Sequence, residues 1–142
     1  MAKGKQSVIR FAKILSPNDL GRTGSHQAGI LVPKNSPLRV LLDESTVADS
    51  NPRRFLYPYS EYLGRSVECC LIYYNNRLRG GTRDEFRLTR TAWLRRDLLA
   101  VPGDVLEFAI EENELVEIKV IKSDFDPGPI PWTDGWSPRG WK

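Results

Sequence analysis

The sequence predicts a mainly β fold with short helices, arranged as a partly open barrel, and three stretches carry this prediction. Ser66–Tyr74 is the most strongly predicted strand, with the sequence Val-Glu-Cys-Cys-Leu-Ile-Tyr-Tyr. Arg83–Arg90 alternates apolar and charged residues with the period of a strand. Val105–Ile110 and Leu115–Ile121 form a predicted hairpin across Glu-Glu-Asn. Because most connections are too short for crossovers, we expect the strands to pair antiparallel.

The remaining elements follow from the residues at their boundaries. Gln6–Leu15 and Gly29–Val32 are predicted strands, and a proline ends the second one. Ser36–Glu44 resembles a short helix with serine as N-cap and proline at the first helical position, although Val40 and the short length also fit a strand. Thr91–Ala100 is predicted as a second short helix. The predicted connections are Ser16–Gly29, Ser45–Tyr59 and Asn75–Gly81.

The length of 142 residues suits a single domain. We assign residues 1–125 to the barrel and residues 126–142 to a C-terminal tail rich in proline, glycine and tryptophan. This composition forbids regular structure, but Trp132, Trp136 and Trp141 are too apolar for a freely solvated linker. We therefore expect the tail to pack back on the barrel or to begin a connection to another domain.

Several classes of protein do not fit the composition. No apolar run approaches the roughly 18 residues of a membrane helix, and the charged N-terminus lacks the apolar stretch of a signal peptide. We therefore expect a cytoplasmic protein that does not contact membranes. The two cysteines, Cys69 and Cys70, are adjacent, and a strand points such neighbours to opposite faces. With a single histidine in the chain, this arrangement disfavours a structural zinc site and predicts reduced thiols in the core.

Charge is distributed unevenly along the chain, whose net charge is +3. Residues 77–96 contain seven arginines and two acids, whereas residues 103–126 contain eight acids and two lysines. Arginine's planar fork suits phosphate and guanine recognition better than the point charge of lysine does. The sequence thus predicts a polyanionic partner for the arginine stretch and places the acidic hairpin away from it.

The first candidate site is Thr82-Arg-Asp-Glu-Phe-Arg87, where strand alternation puts Arg83, Glu85 and Arg87 on one face. Arginine can donate two hydrogen bonds to guanine, and a carboxylate can accept one from cytosine, so the row suggests recognition of base edges. A solvated strand face with cross-strand ion pairs explains the same pattern equally well. The same stretch supplies the further candidates Arg77, Arg79, Asp84 and Arg90.

The second candidate site is the polar, glycine-punctuated loop after the first strand. A long loop between firm strands is a common place for function. His26 alone would more often be a structural or ordinary surface residue. The candidates from this loop and the residues that follow it are Arg22, Ser25, His26, Gln27 and Lys34.

Both segments resemble one known family. Leu15–Pro33 is similar to the N-terminal loop, and Ile72–Arg90 to the second arm, of the EcoRII-type effector DNA-binding domain of type II restriction endonucleases. Pro102–Phe108 is similar to the closing strands of the wider pseudobarrel family, which includes the plant B-three domains.

The resemblance implies a seven-stranded, B-three-like DNA-binding pseudobarrel whose two arms grip the major groove of double-stranded DNA. The implied target is a short, near-palindromic site of the CCWGG kind. His26 falls on the functional histidine of the first arm, and Arg83, Glu85 and Arg87 fall on base-reading and clamping positions of the second. The chain would be a bacterial or archaeal effector domain that binds without a cofactor and has no catalytic site. Cleavage would belong to a separate, Mg²⁺-dependent nuclease domain, which could lie C-terminal to it in the same polypeptide.

Two other classes of function compete with this interpretation. Asp104, Glu117 and Lys119 superficially resemble the PD…ExK metal site of many nucleases. A turn at Pro102-Gly-Asp and a solvated row on the last strand, with Val116, Ile118 and Val120 inward, explain these residues better. The tryptophan tail could instead serve a protein–protein interaction.

Overall fold

The computed structural model describes residues 8–21, 29–42, 50–75, 77, 80–122 and 136. Among them are nine strands, seven of which are three or more residues long. The strands are β1 (Val8–Ile14), β2 (Ile30–Val32), β3 (Arg53–Leu56), β4 (Tyr59–Ser60), β5 (Arg65–Ser66), β6 (Cys69–Tyr74), β7 (Glu85–Thr89), β8 (Val105–Glu111) and β9 (Glu114–Ile121). The helices are a 3-10 helix, Pro37–Leu41, and α1, Trp93–Arg96.

The strands form two sheets that enclose one core. One sheet has the order β1-β8-β9-β4-β5, and the other has the order β2-β7-β6-β3. No strand pairing joins the two sheets within the described ranges, so the predicted mainly β, partly open pseudobarrel is confirmed. Most neighbours pair antiparallel as expected, but Tyr59 and Ser60 of β4 pair parallel with Glu117 and Ile118 of β9.

The core lies between the sheets and is built from alternate residues of their strands. Phe11 of β1 and Phe108 of β8 stack with ring centroids 5.0 Å apart. Trp136 extends this stack, with its rings 6.1 Å from Phe11 and 5.6 Å from Phe108. Its indole N–H donates to the carbonyl of Leu31 (3.3 Å), and its backbone pairs with Lys13. This tryptophan of the predicted tail therefore packs into the barrel core, while the proposed boundary at residue 125 stays a prediction.

The 3-10 helix begins at Pro37 as predicted but ends at Leu41 rather than at Glu44, and the second helix begins at Trp93, two residues after its predicted start, and also ends early. The Ser36 hydroxyl accepts a hydrogen bond from the N–H of Leu38 (3.2 Å), with Pro37 as the first helical residue. The second helix was expected to reach Ala100 but ends at Arg96. Leu99 adopts a left-handed conformation (φ 55°), and the N–H of Ala100 donates to the carbonyl of Leu94 (2.8 Å). The left-handed residue and this hydrogen bond terminate the helix after one turn.

Three predictions about strands were wrong. Ser66–Tyr74 was expected to be one strand, but Ser66 belongs to β5 and β6 begins only at Cys69. The stretch Ser45–Tyr59 was expected to be a loop, but it contains all of β3 and the start of β4. Prolines on both sides of this four-residue strand concealed it. Val116 was expected to point inward, but a bulge pairs Ile110 with Leu115 and leaves Val116 without a partner in the ladder. Leu115 is therefore buried and Val116 exposed.

Within the described ranges, no helix has the length and apolar character to cross a membrane. Cys69 and Cys70 are buried free thiols, as predicted for reduced core cysteines. Burial raises the pKa of Cys69 to about 12, so this thiol stays protonated at neutral pH.

Candidate nucleic-acid interface

The outward side of the four-stranded sheet carries the arginine row predicted from the sequence. Leu88 of β7 is completely buried, so its neighbour Arg87 faces the other way. Strand pairing aligns one row of residues across this side: Leu31, Arg87, Ile72 and Arg53. We name this side the arginine face, and its members are Leu31, Arg53, Phe55, Ile72, Tyr74, Arg83, Glu85 and Arg87.

Glu85 is the centre of the arginine face. Its Oε2 atom accepts hydrogen bonds from Nη2 of Arg83 (2.8 Å) and from Nε of Arg87 (2.6 Å). The guanidinium of Arg83 also lies over the ring of Tyr74, 3.8 Å from its centroid. The three residues therefore share one face, as predicted. Their ion pairs run along the strand rather than across it.

Burial and neighbouring charges determine the protonation state of Glu85. Burial alone would raise the pKa of Glu85, but the hydrogen bonds from Arg83 and Arg87 outweigh it and hold that pKa below its ordinary value. Glu85 is thus ionised at neutral pH, and two guanidinium groups surround one carboxylate. Arg87 is only 4% exposed and is therefore not freely solvated, whereas 36% of the Arg83 side chain and 25% of the Glu85 side chain are exposed. Nε of Arg83 is buried and has no hydrogen-bond partner.

Asp84 organises a second group of charges at the end of the same sheet. Lys34 and Arg77 both donate to its Oδ2 atom, Arg77 at 3.3 Å, and the hydroxyl of Tyr73 donates to Oδ1 (2.6 Å). Lys34 follows β2, while Arg77 lies in the turn between β6 and β7. These hydrogen bonds, that from Lys34 first, lower the pKa of Asp84. The structure thus joins three of the predicted residues, which are far apart in the sequence.

Arg90 lies just beyond the far end of β7. Its guanidinium is 5.2 Å from the ring centroid of Phe55 and 3.6 Å from the carboxylate of Glu68. The prediction missed Arg53 and Phe55 because it treated their segment as a loop. Arg-Arg-Phe-Leu between two prolines does not alternate apolar and polar residues, so the segment carried no clear periodic indication of a strand.

The structure describes the predicted first arm only at its two ends. Lys13 and Asp19 form a buried ion pair (2.6 Å) where the chain leaves β1. Where it returns, Gly29 has φ 81°, and a Cβ there would lie 2.2 Å from the carbonyl oxygen of Leu88. Both ends of the loop are therefore held tightly by the barrel. Five predicted site residues lie outside the described ranges: Arg22, Ser25, His26 and Gln27 of the loop, and Arg79 of the second arm.

The three residues of the rival nuclease hypothesis do not converge. The carboxylate of Asp104 is fully buried and accepts hydrogen bonds from Nζ of Lys122 (2.8 Å) and the N–H of Val101 (3.0 Å). Glu117 lies four residues before Ile121, the partner of Val105, so it is roughly 13 Å farther along the strand. Among the described residues, no three histidine, cysteine or acidic side chains are grouped to hold a metal ion.

Comparison with known proteins identifies one family. Residues 4–121 match the family described as restriction endonuclease EcoRII, N-terminal. The type II restriction enzyme EcoRII of Escherichia coli is 37% identical to this chain over 81 residues. Those residues are 56% of this chain and 20% of the relative, so the match spans about a fifth of the relative's length.

Proposed function

The chain belongs to the family of N-terminal domains of the restriction endonuclease EcoRII, and on this premise we propose that it recognises double-stranded DNA in a sequence-specific manner. In this proposal the arginine face, which belongs to the second arm, enters the major groove, and the loop after β1 is the first arm of the grip. The single observation that carries the proposal is that the carboxylate of Glu85 accepts hydrogen bonds from both Arg83 and Arg87 on one face of the sheet.

A carboxylate at the centre of a cationic face favours base recognition over simple attraction to phosphates. Glu85 repels phosphate, so a face meant only for the DNA backbone gains nothing from it. A C·G pair offers guanine O6 and N7 as acceptors for an arginine such as Arg83, 36% of whose side chain is exposed, and cytosine N4 as a donor to a carboxylate. Glu85 also orders both arginines before DNA arrives, which reduces the conformational entropy lost on binding.

Charge separation within the barrel supports the same orientation. The acidic hairpin β8–β9 belongs to the other sheet, away from the arginine face. Lys34 and Arg77, which lie together at the end of the four-stranded sheet, are exposed and suit contacts with phosphates at one border of the groove.

The role within a larger enzyme is also part of the proposal. We place the chain as the effector or target-recognition domain of a type II restriction endonuclease in a bacterial or archaeal cytoplasm. Cleavage then belongs to a Mg²⁺-dependent nuclease domain of the same polypeptide, and the target is CCWGG-like. Trp136 is buried in the core and is not available to a protein partner, which weakens the alternative of a tryptophan-centred interaction surface.

The decisive experiment is selection of bound duplexes from a random library, followed by titration of the selected and a scrambled duplex at two salt concentrations. We expect one enriched motif and an affinity that falls steeply with salt. Enrichment of no motif would contradict sequence-specific recognition. An affinity independent of salt would contradict DNA binding through this face.

A matched pair of variants tests the face itself. Glu85→Gln should lower discrimination at one base pair by about 1–3 kcal/mol without weakening binding to the scrambled duplex. Glu117→Gln makes the same change on a strand of the other sheet, where Glu117 faces Arg10 at 3.7 Å, and should leave both affinities unchanged. Equal effects of the two variants would show that the arginine face does not contact the bases.

A further inference from the structure

The carboxylate of Asp84 joins Lys34, which directly follows the first predicted arm, to Arg77 of the second predicted arm. Lys34 follows the strand that leaves the first arm, and Arg77 belongs to the second arm. Both donate to Oδ2 of Asp84. The register β2–β7, continued by two residues from Val32 and Phe86, places Lys34 directly opposite Asp84. The contact therefore follows from strand pairing rather than from chance side-chain placement.

Asp84 and Glu85 are consecutive, so their side chains leave the chain on opposite sides. Glu85 holds arginines on the arginine face, whereas Asp84 holds Lys34 and Arg77 at the rim of the sheet. We name Lys34 and Arg77 the rim pair. The two carboxylates thus divide four cations into two separate groups, one directed at the face and one at its border.

The carboxylate of Asp84 is anchored while the rim pair is not. The Tyr73 hydroxyl donates to its Oδ1 atom, and the ring of Tyr73 stacks on Phe86 at 4.3 Å, nearly parallel. Only 17% of the Asp84 side chain is exposed, against 54% for Lys34 and 69% for Arg77. A phosphate can therefore reach the rim pair, but only in competition with a carboxylate that is held in place.

We propose that Asp84 is a specificity-determining residue that occupies the rim pair in free protein and withholds it from phosphates of non-cognate DNA. This inference rests on the proposed DNA binding. Non-cognate DNA attracts the protein through its phosphates alone, so it must displace Asp84 without any gain from base contacts. At the cognate site, contacts between the arginine face and the bases hold the DNA in register. The free energy of these contacts offsets the cost of replacing Asp84 by a phosphate at the rim pair. Exposed ion pairs are weak, so this exchange is reversible.

The test is Asp84→Asn in the full 142-residue chain, titrated with the selected duplex and a scrambled duplex at several salt concentrations. Asparagine keeps an oxygen for the Tyr73 hydroxyl but removes the charge that holds the rim pair. We expect the affinity for scrambled DNA to rise up to roughly tenfold at 0.1 M salt and its salt slope to steepen by about one, the effect of one added phosphate contact. The affinity for the selected duplex should rise less, so discrimination falls.

Three controls make the result specific. Asp97→Asn causes the same charge change at another carboxylate that is held by two arginines, Arg65 and Arg96, and should have little effect. Lys34→Ala or Arg77→Ala, each combined with Asp84→Asn, should remove much of the gain, because the released cations cause it.

The outcomes separate this inference from the proposed function. Equal gains for Asp84→Asn and Asp97→Asn, or parallel losses for both duplexes in Asp84→Asn, would overturn the role of Asp84 but leave DNA binding intact. Absence of salt-dependent duplex binding by the unmodified chain would instead overturn the proposed function.

Discussion

The ammonium group of Lys13 donates a 2.6 Å hydrogen bond to the carboxylate of Asp19 at a point where less than a tenth of either side chain is exposed. The carboxylate of Asp19 also accepts a hydrogen bond from the backbone N–H of Ser16 (2.9 Å). The hydroxyl of Ser16 accepts one from the backbone N–H of Asp19 (3.2 Å). The pair thus closes the turn through which the chain passes from β1 into the predicted first arm. Its loss would affect both the barrel and the start of that arm.

We expect Asp19→Ala to lower the free energy of unfolding by about 3–5 kcal/mol, because it leaves the ammonium of Lys13 buried without its counter-ion. Urea unfolding at neutral pH measures this change. The control is Glu114→Ala, which breaks an exposed pair with Arg54 and should cost less than about 1 kcal/mol. A cost for Asp19→Ala no larger than that of the control would contradict this prediction.

Trp136 should contribute to the stability of the barrel although it lies near the end of the chain. Trp136→Ala removes a buried ring from the stack with Phe11 and Phe108, and we expect a cost of about 3–5 kcal/mol in thermal or urea unfolding. Tyr62→Ala removes a ring that is largely exposed, and should change stability by less than about 0.5 kcal/mol. Similar stabilities of the two variants would show that the core is complete without Trp136.

Gly29 and Gly64 allow backbone conformation to be separated from steric fit. Both have positive φ, but a Cβ at Gly64 meets nothing within 4 Å, whereas at Gly29 it would strike the backbone of Leu88. Gly64→Ala should therefore cost about 1–2 kcal/mol through conformation alone. Gly29→Ala should cost about 1–3 kcal/mol more, because β2 and β7 must move apart. Equal losses of unfolding free energy for the two variants in urea would show that Gly29 is not in close contact with the backbone of Leu88.

The Glu85 cluster should give the folded protein a dependence on pH in the acid range. A carboxyl whose pKa is lower in the folded chain stabilises the fold above its unfolded pKa, and this stabilisation is lost as the pH falls through the folded pKa. For Glu85 the loss should begin below its ordinary value of 4.5. We expect the fall in stability between pH 6 and pH 3 to be smaller in Glu85→Gln than in the unmodified protein. An identical fall would show that the arginines do not hold this carboxylate.

Metal ions should not be needed for binding under the proposed function. We expect equal affinity for duplex DNA in chelator and in Mg²⁺, with the DNA left intact in both. The physical reason is that the carboxylate of Asp104 is directed to Lys122 rather than to Glu117. Cleavage in Mg²⁺ that disappears in Glu117→Ala would support the rival nuclease hypothesis instead.

The sequence predicted those elements that are specified by residues close together along the chain. The alternation in β7 identified the face shared by Arg83, Glu85 and Arg87, and Ser36-Pro37 located the start of the 3-10 helix. In contrast, β3 has only four residues, too few for a clear period between its prolines. The bulge at Val116 depends on the partner strand β8, so the pattern of β9 alone could not reveal it.

The charge networks were harder to predict because their members are distant in the sequence. Lys34 and Asp84 were both candidates for contact with DNA, yet 50 positions separate them and only strand pairing brings them together. The burial of Arg87 was also unexpected, since the alternation that placed it outward gave no information about what lies over it. Position along a strand was thus predictable, whereas solvent exposure and ion pairing were not.

The pairing of β1 with β8 sets a condition on how the chain reaches this fold. Val8 pairs with Glu111 and Ile14 with Val105, so every partner of the first strand lies more than 90 positions away. During synthesis, β1 leaves the ribosome first and cannot complete its ladder until β8 has emerged. Because the entropy of closing so long a loop must be overcome before these contacts form, we expect slow folding, with β1 exposed as an unpaired edge in the meantime.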